Sequence, residues 1–336
     1  VHHVTAQLVC AEIKRALRSS FLVARGVLET ASILMIRELQ ATTIAIGNFD
    51  GVHRGHQSII RQARAIADAH GLACVALTFD PHPSEVLGRG APARLTTLPS
   101  RIELLVASGA HRAIVLPFTK ELASFTPEKF AHDLLHERLL ARIVVVGENF
   151  RFGCNRAGNF DSLRTLGAKL GFSAMAADIA GDESGRFSSS RVRSAIAAGD
   201  IPAANTVLGR MHAVTGVVEQ GDMLGRTIGF RTANLGGIVE MLPPHGVYAV
   251  WVTNLATPET TSVPGVMNIG VRPTVDGTKL RVEVHLLEGA PDLYGVPLRA
   301  YFVERLRGEV KLGGLHALKT QIEKDIVRAR SVLRIT

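Results

Sequence analysis

The 336-residue chain is poor in cysteine and in aromatics, and it has no long apolar run. Its three cysteines, Cys10, Cys74 and Cys154, lie far apart without paired spacing. That argues against a disulfide framework or a structural zinc site and for a reducing compartment. No apolar run approaches the ~18 residues that a membrane-spanning helix needs. Aromatic residues make up 5% of the chain, and no basic stretch is interleaved with them. This weighs against a stacking platform for single-stranded nucleic acid. What is present is ordinary for a folded protein: 46% hydrophobic and 20% charged residues, with length enough for two cores. The net charge of +8 favours anionic partners, either phosphorylated small molecules or nucleic acid, unless it is only a solvated surface.

Residues 1–40 alternate apolar and basic positions (Lys14, Arg15, Arg18, Arg25), with Glu12, Glu29 and Glu38 interspersed. The acidic residues argue against an organelle address, and Glu29 interrupts the run Val27 to Ile36. No initiating Met is present, which suggests processing, a boundary or an uncertain start. The segment reads as a partly helical extension without chemistry.

The informative stretch is Ile46-Gly47-Asn48-Phe49-Asp50-Gly51-Val52-His53-Arg54-Gly55-His56. The β-branched run Thr42 to Ile46 leads into it as a buried strand. After it, Ile59, Ile60, Ala63, Ile66 and Ala67 fall on one helix face, and Gly71 closes the helix. The stretch is therefore a tight strand-to-helix turn in which Gly47, Gly51 and Gly55 let backbone approach a ligand. His53 and His56 sit one turn apart near the helix N-terminus, whose free N–H groups and dipole suit an anion such as a polyphosphate. Taken alone, a His-x-x-His pair is as readily a ligand-free pair or a metal site.

From Thr42 to about Ile179, strand candidates (Thr42–Ile46, Ala73–Phe79, Arg112–Pro117, Ile143–Val146, Phe172–Ile179) alternate with helix candidates. The helices include one opened at Thr97-Leu98-Pro99-Ser100 and one at Thr126-Pro127-Glu128. This alternation predicts a parallel, doubly wound sheet whose ligands lie beyond the carboxyl ends of the strands. Asp80-Pro81-His82-Pro83 reads as a rigid non-helical loop or a plain surface turn. Gly147 to Gly153 carries Asn149, whose amide offers donors and an acceptor to a ligand edge, and precedes Arg156, which could pair with phosphate. Ser188-Ser189-Ser190-Arg191-Val192-Arg193 reads as a helix start with a second phosphate cradle, or as an ordinary serine cap.

Past a short helix and linker (Ile201 to Arg210) the pattern changes to strands: His212–Glu219, Gly246–Asn254, Ser262–Gly270, Lys279–Leu287 and Leu298–Glu304. This spacing predicts an antiparallel barrel. A final helix, with Leu315, Leu318, Ile322, Ile326 and Ala329 on one face, is expected to cover it. Gly221 to Leu235 is glycine-rich without the Gly-Lys-Ser/Thr of a Walker loop, yet it can cradle phosphate through backbone N–H groups. Thr232 and Asn234 offer oxygens to Mg²⁺. Val282, Val284 and Leu286 share one strand face, and Glu283 and His285 the other. Glu283 can take a proton from an attacking hydroxyl, or is simply an exposed strand residue.

His53-x-Gly55-His56 after a strand resembles the nucleotidyltransferase signature, and the longer Gly-Asn-Phe-Asp-Gly-Val-His string resembles the adenylyltransferase half of bacterial bifunctional riboflavin kinase/FAD synthetases. The match runs over about residues 42 to 333. It takes in Ser189, Ser190 and Arg193 at the family's Ser-Ser-Thr-x-x-Arg motif and Gly225 to Asn234 at its kinase loop. It continues through Gly246-Val247-Tyr248, Asn268 to Thr274, Val282 to Leu287, Asp292 to Gly295 and Arg305-Leu306-Arg307. The kinase loop usually ends Gly-x-Pro-Thr-Ala-Asn, and here Arg231 takes the Pro place.

The resemblance implies an α/β doubly wound nucleotidyltransferase domain followed by an antiparallel β-barrel kinase domain with a terminal helix. The expected limits are an extension over 1–40, the adenylyltransferase over 41–200, a linker over 201–210 and the kinase over 211–336. It implies that ATP for AMP transfer meets Gly47, Asn48, Phe49, His53, His56, Ser189, Ser190 and Arg193, and that the flavin meets Asp80 and Asn149. In the kinase, Gly225, Gly229, Thr232 and Asn234 would meet ATP, Thr232 and Asn234 would hold Mg²⁺, and Glu283 would be the base. The chain is thus expected to phosphorylate riboflavin to FMN and to adenylylate FMN to FAD, in the cytoplasm. No nucleic acid, no membrane and at most a weak or transient homo-oligomer are expected. Two alternatives stand beside this: an adenylyltransferase with a kinase impaired at Arg231, and a basic RNA-binding protein on a nucleotidyltransferase fold.

Overall fold

The computed structural model describes residues 41–220, 229–257, 261–274, 277–289, 293–310 and 313–335. The extension over 1–40 and Gly225 lie outside the described residues. The chain divides into two compact units. The described residues of the first are 41–48, 57–91 and 102–179; the second has 49–56, 92–101 and the chain from Ala180 onward.

From Thr42 the chain runs β1 (Thr42–Ile46), α1 (Arg54–Ala69), β2 (Ala73–Asp80), α2 (Pro83–Val86), α3 (Leu98–Ala107), β3 (Arg112–Pro117) and α4 (Lys120–Ser124), with the first residues of α1 and α3 in the second unit. It continues through α5 (Pro127–Lys129), which runs on as a π-helix over Phe130–Arg138, then β4 (Ala141–Gly147), α6 (Phe160–Leu170) and β5 (Ser173–Ala177). The five strands form a parallel sheet in the order β3-β2-β1-β4-β5. Alternate residues of three strands (Ile44, Ile46; Val75, Leu77, Phe79; Val144, Val146) share a core with Phe130, Leu134 and Leu135 of the π-helix and Leu163 of α6. In α1, Ile59, Ile60, Ala63 and Ala67 are buried, which is the face that the periodicity picks out. Thr126 caps α5 by accepting the Lys129 N–H, with Pro127 in the first turn. One expectation needs correction: the Asp80-to-Pro83 segment is not wholly non-helical. His82 caps α2 through its ring, and Pro83 begins that helix, where its missing N–H costs nothing.

In the second unit a two-residue ribbon, β6 (Gly181–Asp182) and β7 (Gly185–Arg186), precedes α7 (Ser189–Ala198) and α8 (Ile201–Leu208). Then come β8 (Ala213–Glu219), β9 (Ala233–Gly236), β10 (Gly246–Asn254), β11 (Val263–Thr274), β12 (Gly277–Leu286), β13 (Pro297–Arg307) and α9 (Leu315–Leu333). The six strands β8 to β13 close into an antiparallel barrel, β10-β11-β12-β9-β8-β13. Val214, Tyr248, Val250, Met267, Ile269, Val282, Val284 and Phe302 fill its interior. The sequence pattern misses β9, which pairs with both β8 and β12 and closes the wall between them. Helix α9 packs Ala329 and Leu333 against Val247, Ala249, Val266 and Leu306 on the outside of the barrel. The expected apolar face is shortened: Leu315 is exposed. In its place the buried Asp325 accepts a forked pair of bonds from Arg307 of β13, with Nη2 at 2.7 Å and Nε at 2.9 Å.

Candidate functional site

The turn between β1 and α1 is tightly constrained. Phe49 (φ 50°), Gly51 (φ 83°) and Val52 (φ 37°) all take the left-handed backbone region. That region is uncommon for any residue with a side chain and is strained for a β-branched one. Of the three glycines in the turn, Gly51 alone uses its backbone freedom in this way. At Gly55 the constraint is space: a Cβ would lie 2.9 Å from the Phe187 carbonyl and 3.1 Å from the His53 ring.

Asp50 holds the turn in shape. Its buried carboxylate accepts from the Leu95 N–H (3.1 Å), the Thr96 N–H (3.2 Å) and the Thr96 hydroxyl (3.2 Å). It also pairs with Arg193 Nη2 at 2.5 Å. The Gly51 N–H donates to Thr96 Oγ1, and the Ser189 hydroxyl donates to the Asp50 carbonyl at 2.9 Å. The Arg193 Nε donates to the Ala93 carbonyl at 2.7 Å. Arg193 therefore braces the turn through Asp50, and Ser189 does so through the backbone. Ser190 is exposed in the first turn of α7, where Ser188 caps the Arg191 N–H.

The two histidines lie together at the start of α1. Their rings stack with centroids 3.6 Å apart, and Phe49, itself fully buried, meets His56 edge-on at 5.2 Å. Phe49 thus acts on the site through the His56 ring. His53 Nδ1 accepts the His56 backbone N–H at 3.4 Å, which leaves Nε2 to carry the proton and donate. Burial, with Arg210 and Arg193 nearby, pulls the His53 pKa down to about 4. Burial, then His53 and the arginines 101, 210 and 193, lower that of His56 as well. Both imidazoles are neutral donors at pH 7, inside a positive field that suits an incoming polyanion.

In the first unit, Gly47 and Asn48 follow β1, Asp80 ends β2 and Asn149 follows β4. These strands are adjacent, so the sheet brings the four residues to its carboxyl edge, where the strand order reverses. Asn48 is exposed; its amide nitrogen is 3.2 Å from His82 Nε2, and its carbonyl accepts from Thr78. Asn149 is exposed in the turn that the Phe150 N–H closes on the Gly147 carbonyl.

On the barrel, Glu283 lies directly opposite Asn234 of β9 and Asn268 of β11. Opposed residues share a face, so the three form one row, on the side away from Val282 and Val284. Arg281 Nη1 donates to Glu283 Oε1 at 3.1 Å. The chain entering β9 is tied to β12 by His285, whose Nδ1 donates to the Arg231 carbonyl at 2.8 Å and whose ring meets Phe230 edge-on. Thr232 is exposed beside it, and Gly229 has a φ of 90°.

Sequence reasoning did not single out Asp50, Thr96 or Arg210. Asp50 stood inside the quoted string. Thr96 and Arg210 lie 46 and 160 positions from it and have no local pattern to mark them.

Two family models match the chain: FAD synthetase over residues 35–191 and riboflavin kinase over residues 208–333. A bifunctional riboflavin kinase/FMN adenylyltransferase of Escherichia coli K12 is 37% identical over 298 residues, covering 88% of this chain and 94% of the relative. The protein of that name from Pseudomonas fluorescens is 39% identical over 297 residues, with coverages of 88% and 94%. The crystal structure of a protein named macrolide-efflux protein, from Streptococcus pneumoniae, superposes with a TM-score of 0.78 at 27% identity, covering 88% of this chain and 96% of that one. With both family models in order along one polypeptide and relatives matched over nearly their full length, the chain belongs to the bifunctional riboflavin kinase/FMN adenylyltransferase family.

Proposed function

We propose that this protein carries out both reactions of its family on one chain: riboflavin to FMN with ATP, then FMN to FAD with a second ATP. The observation that carries the AMP-transfer half is the braced turn with two stacked, neutral imidazoles at the N-terminus of α1. In this reading a phosphate oxygen of FMN attacks the α-phosphorus of ATP and pyrophosphate leaves. His53 and His56 donate to triphosphate oxygens as negative charge moves onto the leaving group. Gly47, Asn48, Ser189 and Ser190 line the nucleotide's path, and Arg193 and Phe49 hold the turn and His56. Asp80 and Asn149 face the flavin.

In the kinase half, the 5′-hydroxyl of riboflavin attacks the γ-phosphorus of ATP, ADP leaves, and Glu283 takes the hydroxyl proton. Gly225 and Gly229 belong to the phosphate loop. The donor set Thr232 and Asn234, two neutral oxygens of which Asn234 lies opposite Glu283, suits a hard cation that keeps most of its ligands from water and phosphate. When bound, Mg²⁺ would neutralise the triphosphate; the chain's own part is to fix Asn234 opposite Glu283.

We assign the adenylyltransferase to residues 41–200, a linker to 201–210 and the kinase to 211–336. The reading includes a cytoplasmic location, no nucleic-acid partner and at most transient self-association. Among the described residues no helix is long and apolar enough to cross a membrane. The test is direct: incubate the chain with ATP-Mg²⁺ and riboflavin, then with FMN, and separate the products. Formation of FMN and FAD, with pyrophosphate released only in the second step, supports it. Absence of either product removes that half.

A further inference from the structure

The linker that leaves α8 ends in Arg210, inside the segment matched by the riboflavin kinase model. Its side chain reaches the turn that precedes His53. Nη2 donates to the Gly51 carbonyl at 2.6 Å and Nη1 to the Val52 carbonyl at 3.2 Å. These are the two residues immediately before His53, and both have positive φ. A strained turn of this kind persists only where its surroundings over-determine it. Asp50 fixes one side, through Leu95, Thr96 and Arg193. Arg210 fixes the carbonyls on the other.

The segment carrying Leu95 and Thr96 is likewise tied to the barrel half. Met241 N–H donates to the Arg94 carbonyl at 2.6 Å, and Arg299 of β13 donates to Ser100 Oγ at 3.0 Å. Burial and the Arg299 charge lower the Arg210 pKa to about 10, and Asp50 opposes that. A planar fork suits two adjacent carbonyls in a way that a single ammonium does not.

We propose that Arg210 is a positioning residue for AMP transfer: a side chain from the kinase-matched segment holds the turn that presents His53 and His56. The proposal rests on the adenylyltransferase reading above. It makes the second half of the chain a structural part of the first half's chemistry.

The test uses the full chain carrying Arg210→Met or Arg210→Lys. FAD formation from FMN should lose kcat by about 30-fold or more in Arg210→Met and by about tenfold in Arg210→Lys, the scale set by sub-ångström misplacement of reacting groups. The KM for FMN should hold, and FMN formation from riboflavin, measured on the same sample, should match wild type. Affinity for inorganic tripolyphosphate should fall several-fold in both variants.

A merely structural Arg210 would lower both reactions together by reducing the folded fraction. Wild-type kcat for FAD formation in Arg210→Lys, or equal loss of both reactions in it, overturns the proposal. If Arg210→Met does not fold, Arg210→Lys decides. A wild-type chain that makes no FAD sinks the activity reading instead. Tripolyphosphate binding then judges Arg210 alone, and unchanged affinity in Arg210→Lys rejects its role.

Discussion

The two segments proposed to handle phosphate are held in opposite ways. The turn Phe49 to His56 is mostly buried, takes positive φ at three residues and is gripped by side chains more than forty positions away in sequence. The segment Gly229 to Asn234 leads into a barrel strand, and its residues are exposed or half-buried. Its fastenings include the short strand β9, a histidine bond to the Arg231 carbonyl and the contact of Phe230 with that histidine ring. In the first, the geometry exists before any ligand arrives. In the second, strand pairing places Asn234 opposite Glu283 on the barrel wall. Preorganised donors of the first kind act without reorganisation at the moment of reaction. A segment of the second kind loses conformational entropy each time it closes.

Removing one acting group from each site should have the largest effect. Glu283→Gln keeps shape and removes the proton acceptor. Riboflavin phosphorylation should fall by about 10²–10⁴-fold with FAD formation from supplied FMN retained. His56→Ala should do the reverse, with a loss of about 10²–10³-fold in FAD formation and a working kinase. Product separation on each variant checks both, and equal loss of both reactions in either folded variant would sink the two-site reading.

Next comes the fastening of each segment. Asp50→Ala removes a buried carboxylate and strands Arg193 and the Leu95 and Thr96 donors. The cost should be about 3–5 kcal/mol of stability, read from denaturant unfolding. His285→Ala removes one hydrogen bond at a half-buried surface and should cost about 0.5–1.5 kcal/mol. Similar costs would mean that the two segments are held alike.

Acid should destabilise the fold, in part through the first segment. His53 in the fold has a pKa of about 4, below the 6.5 of a free imidazole, so the unfolded chain binds protons more readily. Stability is complete above the unfolded value and is lost as pH falls from about 6.5 towards 4. The buried His212 has a similarly lowered pKa and adds to the slope. Each group accounts for roughly 3 kcal/mol at the acid end. Unfolding curves at pH 7 and pH 5, repeated with tripolyphosphate, test this. The anion favours the charged imidazoles, so it should flatten the dependence in wild type and have less effect in His53→Gln.

The same contrast explains what the sequence could reveal. Local pattern exposed the five parallel strands, α1 with its buried face, and five of the six barrel strands. It did not reveal β9, because Ala233 to Gly236 is short, lacks alternation and gains its strand state only by pairing on both sides. The periodicity of α9 put Leu315 inward and passed over Asp325, whose burial depends on Arg307 from a different element. In the site, the histidine turn was legible because its residues are contiguous. Its braces were not, since Thr96, Arg193 and Arg210 reach it only through the fold. Arg193 drew notice as a phosphate ligand from its motif alone; its bonds to Asp50 through Nη2 and to the Ala93 carbonyl through Nε appear only in the fold.

The smallest expected effect is at Arg231, where the chain departs from its family's proline. A proline there would lower the entropy of the open segment by about 0.4–1 kcal/mol, provided its backbone angles fit. Here His285 already holds the Arg231 carbonyl, and Phe230 packs on the same ring, so part of that ordering is in place. The guanidinium, if it reaches a phosphate of bound ATP, contributes a charge-assisted bond of roughly 1.5–3 kcal/mol. Arg231→Pro restores the stiff residue and deletes the charge together. With the stiffness partly supplied by His285, loss of the charge should dominate, and the KM for ATP in riboflavin phosphorylation should rise by about two- to tenfold at nearly constant kcat. A fall in KM would show that rigidity governs the segment and that the side chain is only tolerated. The double variant Arg231→Pro with His285→Ala separates the two: if the histidine has taken over the proline's work, removing it should raise the KM much less in the proline background than in the parent.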